Sequence, residues 1–494
     1  MDNLRKTWPL YRSMLRAFSS ENKVKTKFDF KLAENISENI NSGMLKARHF
    51  PGALDVGCVT LPDDLMQAAT IALAGFPQKN LEQDAQKLSS YINSRHPPME
   101  ENEYKEKLAE VVETVKQEET IDPMSPGLVE EERKRLLDSR RSKVYEKMKR
   151  ETYKWKAIDY NEYKSAAYVV ARLAPDFASL TKLLREIKKR DPEFCPVHLL
   201  DFGSGVGSSM WAVDKTWPGA CKEAVCVDSS AEMNNMADKL LRGGDSKNPL
   251  NVRPGGTFFK QFVPMSSTRK YDLVTCSRSL FELPDIAARL RTIDILWRKT
   301  HSYLLIVEAG SNAGYRLVLE ARDYVLELSR RAHEEGESNP TGYVFSPCSH
   351  DKFCPRYLDG TNIPCNFEVS YRPFSINRKI NALKDRFSYV IIKRGKRNED
   401  VDQQWPRVIQ NPSLKKKHVI CHLCTKYGTL QELTVTKRRH GKACYSVSKK
   451  ASWGDLFPVV LPEPELTQAT ESTDIITENG DDLGNKENIG KEDM

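Results

Sequence analysis

Residues 198–210, His-Leu-Leu-Asp-Phe-Gly-Ser-Gly-Val-Gly-Ser-Ser-Met, constrain the fold more than any other stretch of this 494-residue chain. An apolar run enters a turn holding Gly203, Gly205 and Gly207, and the residues that follow are patterned as a helix. Three residues without a Cβ let backbone N–H groups and a helix N-terminus lie close to a ligand, so the unit predicts a nucleotide-cofactor pocket. The dinucleotide fingerprint G-x-G-x-x-G requires a glycine at 208, where this chain has Ser208. The spacing is instead acidic-x-G-x-G-x-G, led by Asp201. Twenty-one residues after Gly207, the run Glu223-Ala-Val-Cys-Val-Asp228 predicts a second strand ending in an acid, placed to bind ribose hydroxyls. The bland alternative is a purely structural turn; the loop, the helix and the second strand with its terminal Asp together argue against it.

Further strands are predicted at Gly256–Val263, Tyr271–Cys276 and Tyr303–Glu308, with helical patterns between several of them. Alternation of this kind makes a doubly wound α/β fold. Phe367–Tyr371 and Phe387–Lys393 then supply a sixth and seventh strand, a closing antiparallel pair. The Asp201 glycine motif resembles motif I of class I S-adenosylmethionine (SAM) methyltransferases. That resemblance implies a SAM pocket lined by Asp201, Gly203, Gly205, Gly207 and Asp228.

Residues 61–190 read as a helical N-terminal domain, broken at Pro97-Pro98 and again near Pro123 and Pro126. The sheet domain covers 191–394, with a cysteine-rich insertion at 333–366, and a basic, strand-rich extension follows over 395–462. Residues 21–60 read as a connecting arm.

Charged residues make up 29% of the chain, mean hydropathy is −0.57, and no stretch approaches the roughly 20 apolar residues of a membrane span. Net charge is +8, but residues 463–494 hold ten Asp or Glu against two Lys, which leaves +16 on residues 1–462. The acidic tail has the composition of a disordered segment, and the basic body suits a polyanion such as RNA as well as plain solvation. Eleven cysteines, an odd number without a secretory signal, point to a reducing compartment. Arg5, Lys6, Arg12 and Arg16 against the single acid Asp2 make residues 1–20 resemble a mitochondrial presequence. The dense charge of 128–156, including Arg140, predicts a solvated helix face or an RNA-facing one.

The insertion carries Cys348, His350, Cys354 and Cys365. Three cysteines within 18 residues of a Pro- and Gly-rich loop suggest a metal staple whose fourth ligand comes from elsewhere. The extension offers Cys421-His-Leu-Cys424, and strand alternation puts those two thiols on opposite faces, so one alone faces the metal. Zinc held by four thiolates, zinc held by three thiolates and His350, and a [4Fe-4S] cluster all suit the donor set, and free buried cysteines are the bland alternative. Cys58, Cys195, Cys221, Cys226 and Cys276 read as small core residues.

Taken together, Tyr163–Arg172, Leu200–Gly207, Pro347-Cys-Ser-His-Asp-Lys-Phe-Cys-Pro355, Trp405-Pro-Arg407, His418–Cys424 and Ser452-Trp-Gly-Asp455 resemble the Rsm-type methyltransferase-like family of the mitochondrial small ribosomal subunit. The resemblance covers about residues 60 to 460. It implies a matrix protein, monomeric when free, that binds the small subunit and its rRNA during assembly and carries a [4Fe-4S] cluster, with zinc the alternative. The implied ligands are Cys348, Cys354, Cys365 and Cys424; ten residues between Cys354 and Cys365 make a longer loop than the family pattern. No Asp/Asn-Pro-Pro-aromatic tetrapeptide ends the fourth strand, so no catalytic residue is assigned. An assembly factor is expected, and an active rRNA methyltransferase is the alternative.

Overall fold

The computed structural model describes residues 30–151, 155–249, 256–264, 268–334, 341–375, 380–398, 402 and 404–462. The expected presequence and the acidic tail lie outside them. The chain opens with β1 (Lys31–Leu32), α1 (Glu34–Asn41) and β2 (Cys58–Val59). Helices α2 (Asp63–Leu73), α3 (Gln78–Asn93), α4 (Glu101–Gln117), α5 (Glu130–Glu151) and α6 (Glu162–Arg190) follow. Strands and helices then alternate through β3 (His198–Phe202), α7 (Ser208–Thr216), β4 (Glu223–Val227), α8 (Ala231–Leu241), β5 (Gly256–Lys260), β6 (Tyr271–Ser277), α9 (Ile286–Lys299) and β7 (Thr300–Ala309). Next come α10 (Asn312–Glu334), β8 (Gly342–Ser346), α11 (Pro355–Leu358), β9 (Phe367–Tyr371) and β10 (Leu383–Arg394). The extension adds β11 (Arg407–Val408), β12 (Ser413–Leu414), β13 (His418–Cys424), β14 (Leu430–Thr436), α12 (Lys437–Ser448) and β15 (Val459–Val460).

The main sheet runs β2-β9-β10-β7-β6-β3-β4-β5. Strands β3 to β7 are mutually parallel, and β10 is antiparallel to β7. Counting β3 as first and taking β8 and β9 as two halves of one strand, β9 lies in the sixth strand and β10 is the seventh, the closing pair the sequence predicts. Winding starts at β3 and proceeds both ways, so the crevice of this open sheet lies above the carboxyl ends of β3, β4 and β6. Central strand β7 shows why the order holds: Tyr303–Val307 are all buried, as befits a strand covered on both faces.

Helix α6 starts where Asn161 accepts a hydrogen bond from Lys164 N (2.9 Å), and Lys188, Lys189 and Arg190 complement the dipole of its last turn. Its apolar stripe, Leu173, Phe177, Leu180, Leu184 and Ile187, packs in one core with Leu199, Leu305 and Ile391 of the sheet. Leu65, Leu73 and Leu81 of α2 and α3, within the helical stretch expected over 61–190, join that same core. Within that range the α4–α5 hairpin has a small core of its own, Val111, Val115 and Met148. Helices α9 and α10 cover the opposite face.

The expected connecting arm is structured from Phe30 onward. Strand β1 pairs antiparallel with β15, and Phe30, Leu32, Ile36 and Phe50 share a core with Val419, Cys421, Leu423, Val435 and Phe457 of the extension. Amphipathic segments too short to read as periodicity become legible only against that partner.

Strands β8 and β9 both pair antiparallel with the outer edge of β10, β9 along Leu383–Phe387 and β8 along Ile391–Arg394. They are collinear halves of one interrupted strand. The loop between them, residues 347–366, leaves the sheet at the break, where Ser388 Oγ of β10 donates to Cys365 O (2.9 Å).

Candidate functional site

Two clusters carry chemistry. The first lies at the carboxyl end of β3. Gly203 adopts φ 67°, and a Cβ there would stand 1.8 Å from Ser279 Oγ, so the turn and its packing demand glycine. Gly205 adopts φ 53° and faces open space bounded by the Tyr168 ring at 3.9 Å, a cradle a side chain would fill. Asp201 is fully buried: its Oδ1 accepts from Ser209 Oγ (2.9 Å) and Thr275 Oγ1 (2.7 Å), while Oδ2 has no hydrogen-bond partner among the described residues. Burial pushes its carboxyl up to about 6. Asp228, expected to face ribose hydroxyls, accepts Gly205 N on one oxygen and Ser230 N on the other, both at 2.9 Å. It thereby ties the glycine loop to β4, and each oxygen keeps a lone pair.

A wall of buried charge, which the sequence reading missed, rises beside this loop. Tyr168 OH donates to Asp176 (3.0 Å); Arg172 donates to Asp176 (2.5 Å) and Asp385 (3.3 Å); Arg278 donates to Asp385 (2.6 Å) and lies 3.5 Å from Asp176. Burial alone would raise the Asp385 carboxyl, but Arg172 and Arg278 overcome it and hold it below its ordinary value. The sequence signal was there: Arg172 and Asp176 stand at i, i+4 inside the otherwise apolar run of α6. A strap crosses the top. Trp155 Nε1 donates to Phe281 O (2.8 Å) beyond β6, and Ser230 Oγ beyond β4 donates to Tyr160 O (3.0 Å), so residues 155–160 span the loop of β3 between them. The β6 end reads Ser277-Arg278-Ser279, and Cys276 behind it is buried, its thiol raised well above its ordinary value by burial.

The second cluster sits at the break between β8 and β9. Cys348, Cys354 and Cys365 from the loop and Cys424 from the end of β13 line one cavity of about 10 Å³, with Pro347, Arg407, Ile409 and Leu430. Cys354 Sγ lies 3.1 Å from Tyr315 OH, and Cys424 Sγ lies 3.4 Å from His350 Nε2. Burial, with the neighbouring thiols adding to it, raises Cys365 and Cys424, and Cys348 is pushed up to about 11. His350 is depressed to about 3 by burial and the Arg322 charge, so it is a neutral imidazole, and its Nδ1 has no hydrogen-bond partner among the described residues. Among those residues no group of three or more His, Cys, Asp or Glu stands ready to hold a metal ion. Cys421 faces the other way, into the extension core with Cys444, as alternation predicts. Cys58 and Cys195, expected in the core, are exposed: Cys58 lies on the two-residue edge strand β2 and Cys195 in the turn before β3.

Arg407 holds this region together. It is 1% exposed and donates to Pro347 O (2.8 Å), Gly454 O (2.7 Å) and Glu186 (2.7 Å), joining cysteine loop, extension and α6. At the other end of β13, His418 pairs with Thr436, which brings Lys415, Lys416 and Lys417 alongside Lys437, Arg438 and Lys442, all exposed. On α5, by contrast, Arg140 and Lys147 are paired with Glu119, Asp122 and Glu118 of the α4 end.

No helix among the described residues is long and apolar enough to cross a membrane. Compared with known families, residues 162–458 match the family described as mitochondrial small ribosomal subunit Rsm22. The chain is similar to "Ribosome assembly protein METTL17, mitochondrial" of Homo sapiens, 37% identical over 427 residues, 85% of this chain and 88% of the human one. It is 26% identical to "Rsm22-cox11 tandem protein 1, mitochondrial" of Schizosaccharomyces pombe, over 59% of this chain and 43% of that one. It is 24% identical to "Ribosome assembly protein RSM22, mitochondrial" of Saccharomyces cerevisiae, over 59% and 66%. Among solved structures it is similar to the plantazolicin methyltransferase BpumL, 14% identical with a TM-score of 0.26, over 45% of this chain and 84% of that one.

Proposed function

The chain belongs to the Rsm22 family of the mitochondrial small ribosomal subunit, and from that premise we propose that it is an assembly factor of that subunit, working in the matrix as a monomer, which binds rRNA and whose methyl transfer is weak or absent. The observation that carries the reading is the meeting of Cys348, Cys354 and Cys365 with Cys424 on β13, whose opposite end bears the exposed basic edge. A metal centre there locks the orientation of the edge that meets RNA phosphates.

The residues fit both cofactors. The open cradle at Gly205, with Asp201 and Asp228 beside it, suits SAM, and Gly203 and Gly207 complete the loop; when bound, SAM supplies an electrophilic methyl group. Four soft sulfur donors without a carboxylate suit a [4Fe-4S] cluster or zinc. The cluster is our first reading. Zinc is the second, favoured by a cavity of about 10 Å³, which admits one ion-sized guest without the thiols swinging outward.

The test is anaerobic purification with metal analysis and absorption spectroscopy. A broad band near roughly 400 nm with iron in excess of zinc supports the cluster; stoichiometric zinc without it supports the second reading; neither metal overturns both. Co-sedimentation with small subunits tests the partner. Stoichiometric incorporation of labelled methyl from SAM into small-subunit rRNA overturns this reading in favour of an active rRNA methyltransferase.

A further inference from the structure

Resting on the reading that the glycine loop holds SAM, we infer that Arg278 and Glu308 form the subsite for the cofactor's amino-acid end, Arg278 taking its carboxylate and Glu308 its ammonium group. Nothing in the glycine motif assigns either residue.

Arg278 is placed by the strand end. It is the first residue beyond β6, held at φ 59° while its N–H donates to Val307 O of β7 (2.8 Å). The next residue, Ser279, is the one pressed against Gly203. From there the guanidinium turns into the charged wall, 4% exposed, with one nitrogen on Asp385 and another facing Asp176, whose other oxygen reaches Tyr168 at the open side of Gly205. The third nitrogen, Nη1, has no hydrogen-bond acceptor among the described residues. A buried charged donor left unpaired costs free energy that a ligand's carboxylate restores.

Glu308 is the complementary orphan. It is the penultimate residue of β7, the strand next to β6, and is fully buried. Its Oε1 accepts Leu280 N (2.7 Å), two residues past Arg278, while Oε2 has no partner among the described residues. Burial raises its carboxyl, against the pull of Arg278, so an arriving ammonium group also relieves a buried acid. One spare donor and one spare acceptor, on neighbouring strand ends beside a nucleotide cradle, match the two ends of an α-amino acid. The adenosine portion needs neither.

Calorimetry on the full-length protein with three ligands tests this: S-adenosylhomocysteine, its decarboxylated analogue, and methylthioadenosine, which lacks the amino-acid end. Wild type should bind S-adenosylhomocysteine roughly ten- to a hundredfold more tightly than methylthioadenosine. Arg278→Gln should abolish most of that preference, leaving the other two affinities within about threefold. Glu308→Gln should weaken the decarboxylated analogue, which keeps the amine, and leave methylthioadenosine unchanged. Equal wild-type affinity for S-adenosylhomocysteine and methylthioadenosine, a result that needs no variant to fold, overturns the subsite, as does a preference that survives Arg278→Gln. Binding of none of the three overturns the cofactor reading itself.

Discussion

Four of the five residues expected around the glycine pocket lie within Asp201–Gly207, and the fifth, Asp228, directly follows the adjacent strand. The thiol cavity takes three side chains from an 18-residue loop and its fourth, Cys424, from a strand 59 residues further on in a different sheet. The pocket is therefore shaped by a turn and by the register of β3 with β4, whereas the cavity exists only once the extension has docked. Closing so long a connection costs entropy, which the Arg407 bonds and the packing of Phe30 and Phe50 against β13 offset. One site belongs to the sheet; the other belongs to the interface between sheet and extension.

The largest effect should follow from removing a thiol. Cys348→Ser and Cys424→Ser should each lose most bound metal and roughly 3 kcal/mol or more of stability, read by metal analysis and thermal melting. Cys421→Ser should keep its metal. Full metal in Cys424→Ser with loss in Cys421→Ser would remove the long-range half of the comparison.

A comparable effect on the pocket side is a pH dependence. Glu308 is pushed up to about 7 by burial, against an ordinary value near 4.3, so the folded state binds the extra proton between these values. Its contribution to stability is present below about 4.3 and is lost as pH rises through 7. Glu308→Gln should flatten this fall by roughly 3 kcal/mol between pH 4 and 8, measured by urea unfolding. The same slope should persist in metal-free protein if the pocket is independent of the cavity. A slope that disappears with the metal would join the two regions.

Smaller is the expected loss in Gly205→Arg, which fills the cradle and strains a residue at φ 53°. SAM affinity should fall by roughly thirtyfold or more, with metal content unchanged. Unchanged affinity in the folded variant would show that this loop is not the cradle. The smallest effect is expected at the basic edge. Replacing Lys415, Lys416, Lys417 and Arg438 by Gln should lower the salt slope of small-subunit RNA binding by roughly 0.7–0.9 for each phosphate that these side chains neutralise, with SAM binding intact. An unaltered slope would move the RNA surface elsewhere.

The legible parts of this protein are those in which neighbours in sequence are neighbours in space. The glycine turn, the apolar runs of β6 and β7 and the alternation of β13, which separates Cys421 from Cys424, follow from local sterics and side-chain period. The packing partners of residues 30–59 and of the α2–α3 helices are not legible from sequence alone because their apolar faces carry no address: Leu65 and Phe50 name no partner until a core has formed.

By itself, then, the chain determined the order of the strands along it, the position of the glycine loop and the cysteine spacing, because turns, periodicity and composition act over a few residues. Only the tertiary structure decided that the sixth strand splits around the cysteine loop, that Arg407 ties that loop to the extension, and that Arg278 and Glu308 stand with unpaired groups beside Gly203. Those outcomes depend on which buried charges find partners across distant segments, and that pairing is settled by packing and desolvation, which no short window of sequence contains.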